Sequence, residues 1–143
     1  MAMEYLSDSE EQTRKIARQF ALKLKGGDII ALAGDLGSGK TFFVREILKT
    51  FGVKEKVQSP TFVLRKSYQK NNLKFEHFDL YRLDKADLET TGLGDVLGDS
   101  NTITFVEWSE KIKDQLPIGT IFVEFSHLGE NRRKIKIIKK DET

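Results

Sequence analysis

The sequence contains no cysteine, and its two histidines stand far apart along the 143 residues. The chain therefore has no disulfide framework, no thiol nucleophile and no clustered nitrogen and sulfur ligands of the kind that hold zinc. No apolar run approaches the length that crosses a bilayer, and the N-terminus lacks the apolar core of a signal peptide. These absences predict a protein without a membrane segment and favour the cytoplasm.

A strong charge of either sign is also missing, because 24 Lys and Arg against 22 Asp and Glu leave a net charge of +2. That value is too small to indicate nucleic-acid or membrane binding by itself. The 38% of hydrophobic and 32% of charged residues are typical of a soluble globular protein. The length predicts a single domain over residues 1–143, with a sizeable core but no separate lid or substrate domain.

One glycine-rich stretch carries the clearest chemical signal. It fits the phosphate-loop pattern G-x-x-x-x-G-K-[ST] and consists of Gly34, Asp35, Leu36, Gly37, Ser38, Gly39, Lys40 and Thr41. The apolar run 29–33 before it predicts a buried strand, and helical spacing of apolar residues from Phe43 to Phe51 follows it. In such a loop, backbone amides face phosphate oxygens, Lys40 neutralises β- and γ-phosphate charge, and the Thr41 hydroxyl ligates Mg²⁺. The stretch predicts binding of a nucleotide with Mg²⁺.

The remaining elements follow from apolar periodicity, caps and turns. Helices are predicted at 13–24, with Ser7 and Glu10 as a capping box, at 43–50, at 84–97 and between Ser109 and Pro117. Strands are predicted at 28–33, 62–68, 73–80, 102–106, 121–125 and 134–138. Strands 62–68 and 73–80 would form an antiparallel hairpin. The pattern predicts an α/β fold of the P-loop NTPase class. It would have a mostly parallel central sheet, an antiparallel hairpin, edge strands and helices on both faces.

Two acidic residues end apolar strands, which is where a phosphate-loop protein places the acid that holds Mg²⁺ or orients water. Glu107 follows the strand 103–106, and Asp79 follows 75–78. Both are candidates for a catalytic role, with Glu107 also a candidate metal ligand. Near the C-terminus, Lys134 and Lys136 alternate with isoleucines. This alternation predicts an edge strand with a charged outer face, although a basic strand could also bind RNA or a partner.

Four stretches together resemble the TsaE family (also called YjeE), small bacterial ATPases needed for threonylcarbamoyl-adenosine modification of tRNA. They are the phosphate loop 34–41, then 59–62 (Ser-Pro-Thr-Phe), 77–83 (His-Phe-Asp-Leu-Tyr-Arg-Leu) and 105–108 (Phe-Val-Glu-Trp). The resemblance implies ATP or ADP and Mg²⁺ as ligands, and TsaD- and TsaB-like proteins as partners. tRNA would be reached indirectly, through that complex.

The same resemblance implies roles for individual residues. Thr61 would belong to a segment that acts like the first switch of a GTPase, and Asp79, Glu107 and Trp108 would lie at the phosphates and Mg²⁺. Thr13 and Arg133 would lie near the base, with Arg132 as an alternative for the latter. The N-terminal strand of the family would be reduced here to little more than residues 4–6.

Three other functions remain open from the sequence. A small-molecule kinase would close an arginine-bearing lid over the transferred phosphate, and no segment is long enough for one. A GTPase would carry Asn-Lys-x-Asp, and the closest stretch, Asp84 to Asp87, lacks the asparagine. A nucleotide-dependent interaction module without catalysis is separated only poorly from a slow ATPase.

Overall fold

A computed structural model describes residues 2–35, 37–54, 65–81, 83 and 87–140. Seven strands are formed within these ranges: β1 (Ala2–Ser7), β2 (Ile29–Gly34), β3 (Arg65–Lys70), β4 (Leu73–Asp79), β5 (Thr102–Glu107), β6 (Ile121–His127) and β7 (Arg133–Lys139). The α-helices are α1 (Glu10–Ala21), α2 (Lys40–Thr50) and the single turn α3 (Leu88–Thr91). Short 3₁₀ turns cover Leu93–Asp95, Ser109–Lys111 and Lys113–Gln115.

The strands form one sheet in the order β1-β7-β6-β2-β5-β4-β3. Its centre is parallel, because β2 pairs with both β5 and β6 and β4 pairs with β5. Antiparallel pairs complete both sides, with β3 on β4 and with β1 and β6 on β7. The predicted α/β fold with a parallel centre is confirmed. The carboxyl ends of β2, β4 and β5 consequently meet at one edge of the sheet.

The two faces of the sheet are covered by different elements. Ile30 and Leu32 point to the face covered by α1 and α2, where Phe43 and Ile47 join their cluster. Ala31 points to the opposite face, which the 3₁₀ turns and α3 cover. Burial on both sides is what the continuous apolar run of a central parallel strand predicts. Each fully buried Ile, Leu or Phe side chain contributes about 1.5–3 kcal/mol to stability. The core between β2 and α2 therefore fixes the position of the helix on the strand.

The N-terminal region differs from the prediction in two respects. Helix α1 is capped by Ser9, whose side chain accepts a hydrogen bond from the Gln12 amide, so the predicted Ser7 cap is wrong. Ser7 instead ends β1, which pairs with β7 along all its residues. The N-terminal strand is therefore complete rather than reduced to residues 4–6.

Strand β7 is not an edge strand, contrary to the prediction. It lies between β1 and β6, and Lys136 stands opposite Glu4 on one neighbour and Glu124 on the other. Opposite charges at facing positions stabilise neighbouring strands. The charge of Lys136 therefore fits an inner strand with acidic neighbours on both sides, whereas Lys134 faces Leu6 and Ser126.

Two predicted helices are shorter than expected. In place of a helix over 84–97, α3 ends at Gly92, whose φ of 82° is left-handed, and a 3₁₀ turn follows. The segment after Ser109 forms two 3₁₀ turns rather than a helix, and the Ser109 hydroxyl donates to the carbonyl of Leu32.

No helix within the described ranges has the length and apolar character needed to span a bilayer.

Candidate functional site

A cleft of about 510 Å³ opens at the sheet edge where β2, β4 and β5 end and α2 begins. Most of the predicted site residues line it. They are Gly37, Ser38, Gly39, Lys40, Thr41, Asp79, Glu107, Trp108 and Arg133. Gly34 and Asp35 form the base of the loop between β2 and α2. Leu36 and Thr61 lie outside the described residues, so their predicted roles stay predictions.

The loop backbone depends on its glycines. Gly39 caps α2 in the left-handed region with φ of 108°, and no side chain caps that helix end. A Cβ on Gly39 would lie 3.4 Å from Nε of Arg133, an ordinary contact distance, so it is the left-handed conformation that favours glycine there. The first amides of α2 retain their capacity to donate, and the positive end of the helix dipole lies at the cleft. Both features favour an anion.

Lys40 lines the cleft and is only 5% exposed. Its ammonium donates to the carbonyl oxygens of Gly34 and Asp35, the latter at 3.2 Å, and lies 3.9 Å from the ring centroid of Trp108. Burial lowers the pKa of Lys40 from its usual value, and the nearby carboxylate of Glu107 opposes this shift. The loop thus holds a buried cation where the phosphate-loop pattern predicts one.

Thr41 and Glu107 come together across the cleft. The Thr41 hydroxyl, in the first turn of α2, lies 3.1 and 3.0 Å from the two carboxylate oxygens of Glu107 at the end of β5. Nε2 of His77, on β4, lies 2.5 Å from Oε2 of the same carboxylate. Side chains from α2, β4 and β5 therefore meet at one carboxylate. The sequence predicted Thr41 and Glu107 for this site but not His77.

Asp79 lies beside this group, because the register of β4 and β5 pairs it with Glu107. One of its oxygens accepts a hydrogen bond from the Tyr81 amide at 3.0 Å. The Tyr81 ring lies 5.0 Å from that of Trp108, so two aromatic side chains form one wall of the cleft. Trp108 adopts a φ of 61°, a left-handed conformation that costs about 1–2 kcal/mol outside glycine and turns the chain sharply after Glu107.

The two arginines that open β7 have different surroundings. Arg132 pairs with Asp8 at the surface, whereas Arg133 lines the cleft. Nε of Arg133 and the hydroxyl of Ser38 are buried and have no hydrogen-bond partner among the residues that the structure describes. Two unpaired polar groups at one cleft fit a bound anion, because buried polar groups are normally satisfied.

Thr13 is not among the residues that line this cleft. It is buried in α1, where its hydroxyl lies 2.7 Å from that of Ser7. This bond ties α1 to the end of β1. The predicted contact of Thr13 with a base stays a prediction.

The oxygen atoms at the cleft fit Mg²⁺ better than a transition metal. The Thr41 hydroxyl and the Glu107 carboxylate are hard ligands, and Mg²⁺ normally takes one or two protein oxygens together with phosphate and water. In the described part of the chain, no group of three or more His, Cys, Asp or Glu side chains could hold a metal ion by itself. The residues present fit a metal that arrives with a phosphate ligand.

His77, Tyr81 and Glu10 are members of the site that sequence reasoning did not assign to it. Glu10 begins α1 and lines the cleft next to the phosphate loop. His77 lies two residues before Asp79 on β4, and alternate residues of a strand share a face. That spacing was the available signal for His77, whereas nothing in the local sequence distinguishes Glu10 from another first-turn acid.

A glycine-rich loop joins a buried parallel strand to a helix at the carboxyl edge of this α/β sheet, which defines the P-loop NTPase fold class. Comparison with known proteins then specifies the family. The family model described as "Threonylcarbamoyl adenosine biosynthesis protein TsaE" matches residues 7–135. The chain belongs to the TsaE family, and the resemblance noted from its motifs is confirmed.

Individual relatives agree over most of their length. The "tRNA threonylcarbamoyladenosine biosynthesis protein TsaE" of Rickettsia felis is 44% identical over 132 residues, covering 92% of this chain and 77% of the relative. The protein of the same description from Aquifex aeolicus is 39% identical over 139 residues, covering 96% of each. The crystal structure of Bacillus subtilis YdiB superimposes with a TM-score of 0.79 at 27% identity, covering 98% of this chain and 86% of YdiB.

Proposed function

We propose that this protein binds ATP with Mg²⁺ in the cleft, hydrolyses it slowly, and thereby supports threonylcarbamoyl-adenosine modification of tRNA in the cytoplasm. One observation carries the proposal. The hydroxyl of Thr41 lies within 3.1 Å of the Glu107 carboxylate at the entrance of a glycine-rich loop that also holds the Lys40 ammonium. A cation, a hydroxyl and a carboxylate in this order are what a triphosphate with Mg²⁺ requires.

Each residue has a distinct task in this proposal. Bound Mg²⁺ would supply electrostatic neutralisation of the β- and γ-phosphate oxygens. Lys40 would bind the same phosphates as a buried cation, and the first amides of α2 would donate to them. Glu107 would hold the metal site together with Thr41, and Asp79 would orient water beside it. Trp108 and Arg133, which both line the cleft, would contact the nucleotide.

The pathway is proposed from the relatives, whose names place them in tRNA threonylcarbamoyladenosine biosynthesis. The residues of the cleft handle phosphate, and the chain contains no cysteine that could act as an acyl carrier. We therefore assign the transfer itself to TsaD- and TsaB-like partners, with this protein acting on their complex. A nucleotide-dependent switch that binds partners in one state and releases them in the other would couple hydrolysis to repeated turnover.

The proposal is tested by titrating ATP, ADP and GTP with and without Mg²⁺, and by measuring hydrolysis with and without TsaB and TsaD. We expect ATP and ADP to bind in preference to GTP, and hydrolysis to rise with the partners. Thr41→Ala should lose the Mg²⁺ dependence, whereas Thr50→Ala, at the other end of α2, should behave as wild type. Tighter binding of GTP would favour a GTPase, and phosphate transfer to a small metabolite would favour a kinase. Either result would contradict the proposal.

A further inference from the structure

His77 is a buried titratable residue that the proposed chemistry does not use. Its side chain is fully buried, Glu107 is only 3% exposed, and Nε2 lies 2.5 Å from Oε2 of that carboxylate. The two residues are 30 positions apart in sequence and come from β4 and β5, which are neighbouring parallel strands. The contact therefore depends on the sheet register rather than on local sequence.

The direction of this hydrogen bond follows from its partners. An ionised carboxylate only accepts hydrogen bonds, so with Glu107 ionised, as its proposed place at the Mg²⁺ site requires, Nε2 carries the proton and donates it. Nδ1 is buried without a partner, so the ring has this one polar contact among the described residues. A buried polar side chain with a single partner is held in one orientation by that partner and by its packing.

The packing of the ring makes it a rigid donor. His77 faces Phe105 across the strand pair, and the two rings are 6.5 Å apart at an interplanar angle of 77°. Complete burial of the side chain and this edge-to-face arrangement limit the orientations that the imidazole can adopt. The carboxylate is by contrast on a side chain with three rotatable bonds, whose orientation is costly to fix without partners.

We propose that His77 is a positioning residue that orients the Glu107 carboxylate toward Thr41 by donating a hydrogen bond from Nε2. Thr41 contacts the carboxylate from α2 and His77 contacts it from β4, so donors from two separate elements fix its orientation. The oxygen atoms are thereby presented to the entrance of the phosphate loop before ligand binds. Hydrogen-bond partners of metal-binding carboxylates tune metal affinity in this way. The inference rests on the proposed function, in which Glu107 serves the Mg²⁺ site.

The test separates positioning from simple structural support by measuring ADP affinity calorimetrically over a range of Mg²⁺ concentrations. In His77→Leu the donor is removed, and in His77→Gln an amide N–H can still reach Glu107. We expect His77→Leu to raise the Mg²⁺ concentration needed for tight ADP binding by about 10- to 100-fold, with ADP affinity in the absence of Mg²⁺ unchanged. His77→Gln should recover most of the loss. His127→Leu, which changes the exposed histidine outside the cleft, should behave as wild type.

A double-mutant cycle shows whether His77 acts through Glu107. In the Glu107→Gln background, His77→Leu should have little further effect on Mg²⁺ dependence, because the carboxylate to be oriented is absent. If His77→Leu does not fold, His77→Asn replaces it, since its shorter amide does not reach Glu107. Three results for His77→Leu would overturn the role of His77. They are an unchanged Mg²⁺ dependence of ADP binding, an equal effect in the wild-type and Glu107→Gln backgrounds, and an equal loss of ADP affinity without Mg²⁺. A wild-type protein whose ADP binding ignores Mg²⁺ would overturn the proposed function as well.

Discussion

Replacement of Lys40 by methionine separates ligand binding from stability, because it removes the ammonium and keeps most of the side-chain volume. In the folded protein the ammonium donates to the Gly34 and Asp35 carbonyls and contacts the Trp108 ring. Hydrogen bonds of a charged donor contribute about 1.5–3 kcal/mol, and a cation–π contact contributes about 0.5–2 kcal/mol. Burial, which lowers the pKa of Lys40, opposes both contributions. We therefore expect the free energy of unfolding to change by no more than about 1–2 kcal/mol.

The effect on ligand binding should be larger. Truncating one partner of a buried, hydrogen-bonded charge pair costs about 2–5 kcal/mol, and about 1.4 kcal/mol corresponds to tenfold in affinity. Lys40→Met should therefore weaken binding of ADP with Mg²⁺ by about 30-fold or more, measured by calorimetry, with stability followed by urea unfolding. Lys49→Met is the matched control, because Lys49 lies in the last turn of α2 and is largely exposed. Equal affinity of Lys40→Met and wild type would refute the placement of phosphate at this ammonium.

Three further predictions follow from the cleft. Glu107→Ala should lower ATP turnover more than ATP affinity, as expected for a group whose contacts strengthen in the transition state, and Asp79→Ala should do so more weakly; the reverse order would invert their assigned roles. Gly39→Ala should lower the free energy of unfolding by about 1–3 kcal/mol. Gly98→Ala, at a similar positive φ and with no atom within 4 Å of the added Cβ, should cost about as much, because backbone strain is the shared cause; a much smaller cost for either substitution would exclude backbone strain as that cause. Emission of Trp108, the single tryptophan, should change when ADP binds with Mg²⁺, and a flat titration despite calorimetric binding would place the nucleotide elsewhere.

The parts of the molecule that were predictable are those encoded in contiguous sequence. The apolar run of β2, the glycine-rich loop and the helical spacing of α2 follow one another directly, so the loop and Lys40 could be located from residues 29–51 alone. Glu107 was found for the same reason, because it ends the buried strand β5. Local pattern suffices where strand, loop and helix are adjacent in the chain.

The parts that were missed depend on distant partners. Strand β1 carries only weak apolar alternation, and its length is set by pairing with β7, more than a hundred residues away. Pairing with β1 also makes β7 an inner strand, which its alternating lysines did not indicate. His77 resembles an ordinary core residue until the register of β4 and β5 brings it to Glu107. The prediction of one helix over 84–97 was wrong because Gly92 adopts a left-handed conformation that ends α3.

A crystal structure of the protein with ADP and Mg²⁺ would test the proposed nucleotide site most directly. We expect the β-phosphate within hydrogen-bond distance of the Lys40 ammonium and the first amides of α2, with Mg²⁺ on the Thr41 hydroxyl beside Glu107. We also expect Nε of Arg133 and the hydroxyl of Ser38, which have no partner among the described residues, to gain partners in the complex. Nucleotide bound outside this cleft, or Mg²⁺ held away from Thr41 and Glu107, would show that the site is wrongly assigned.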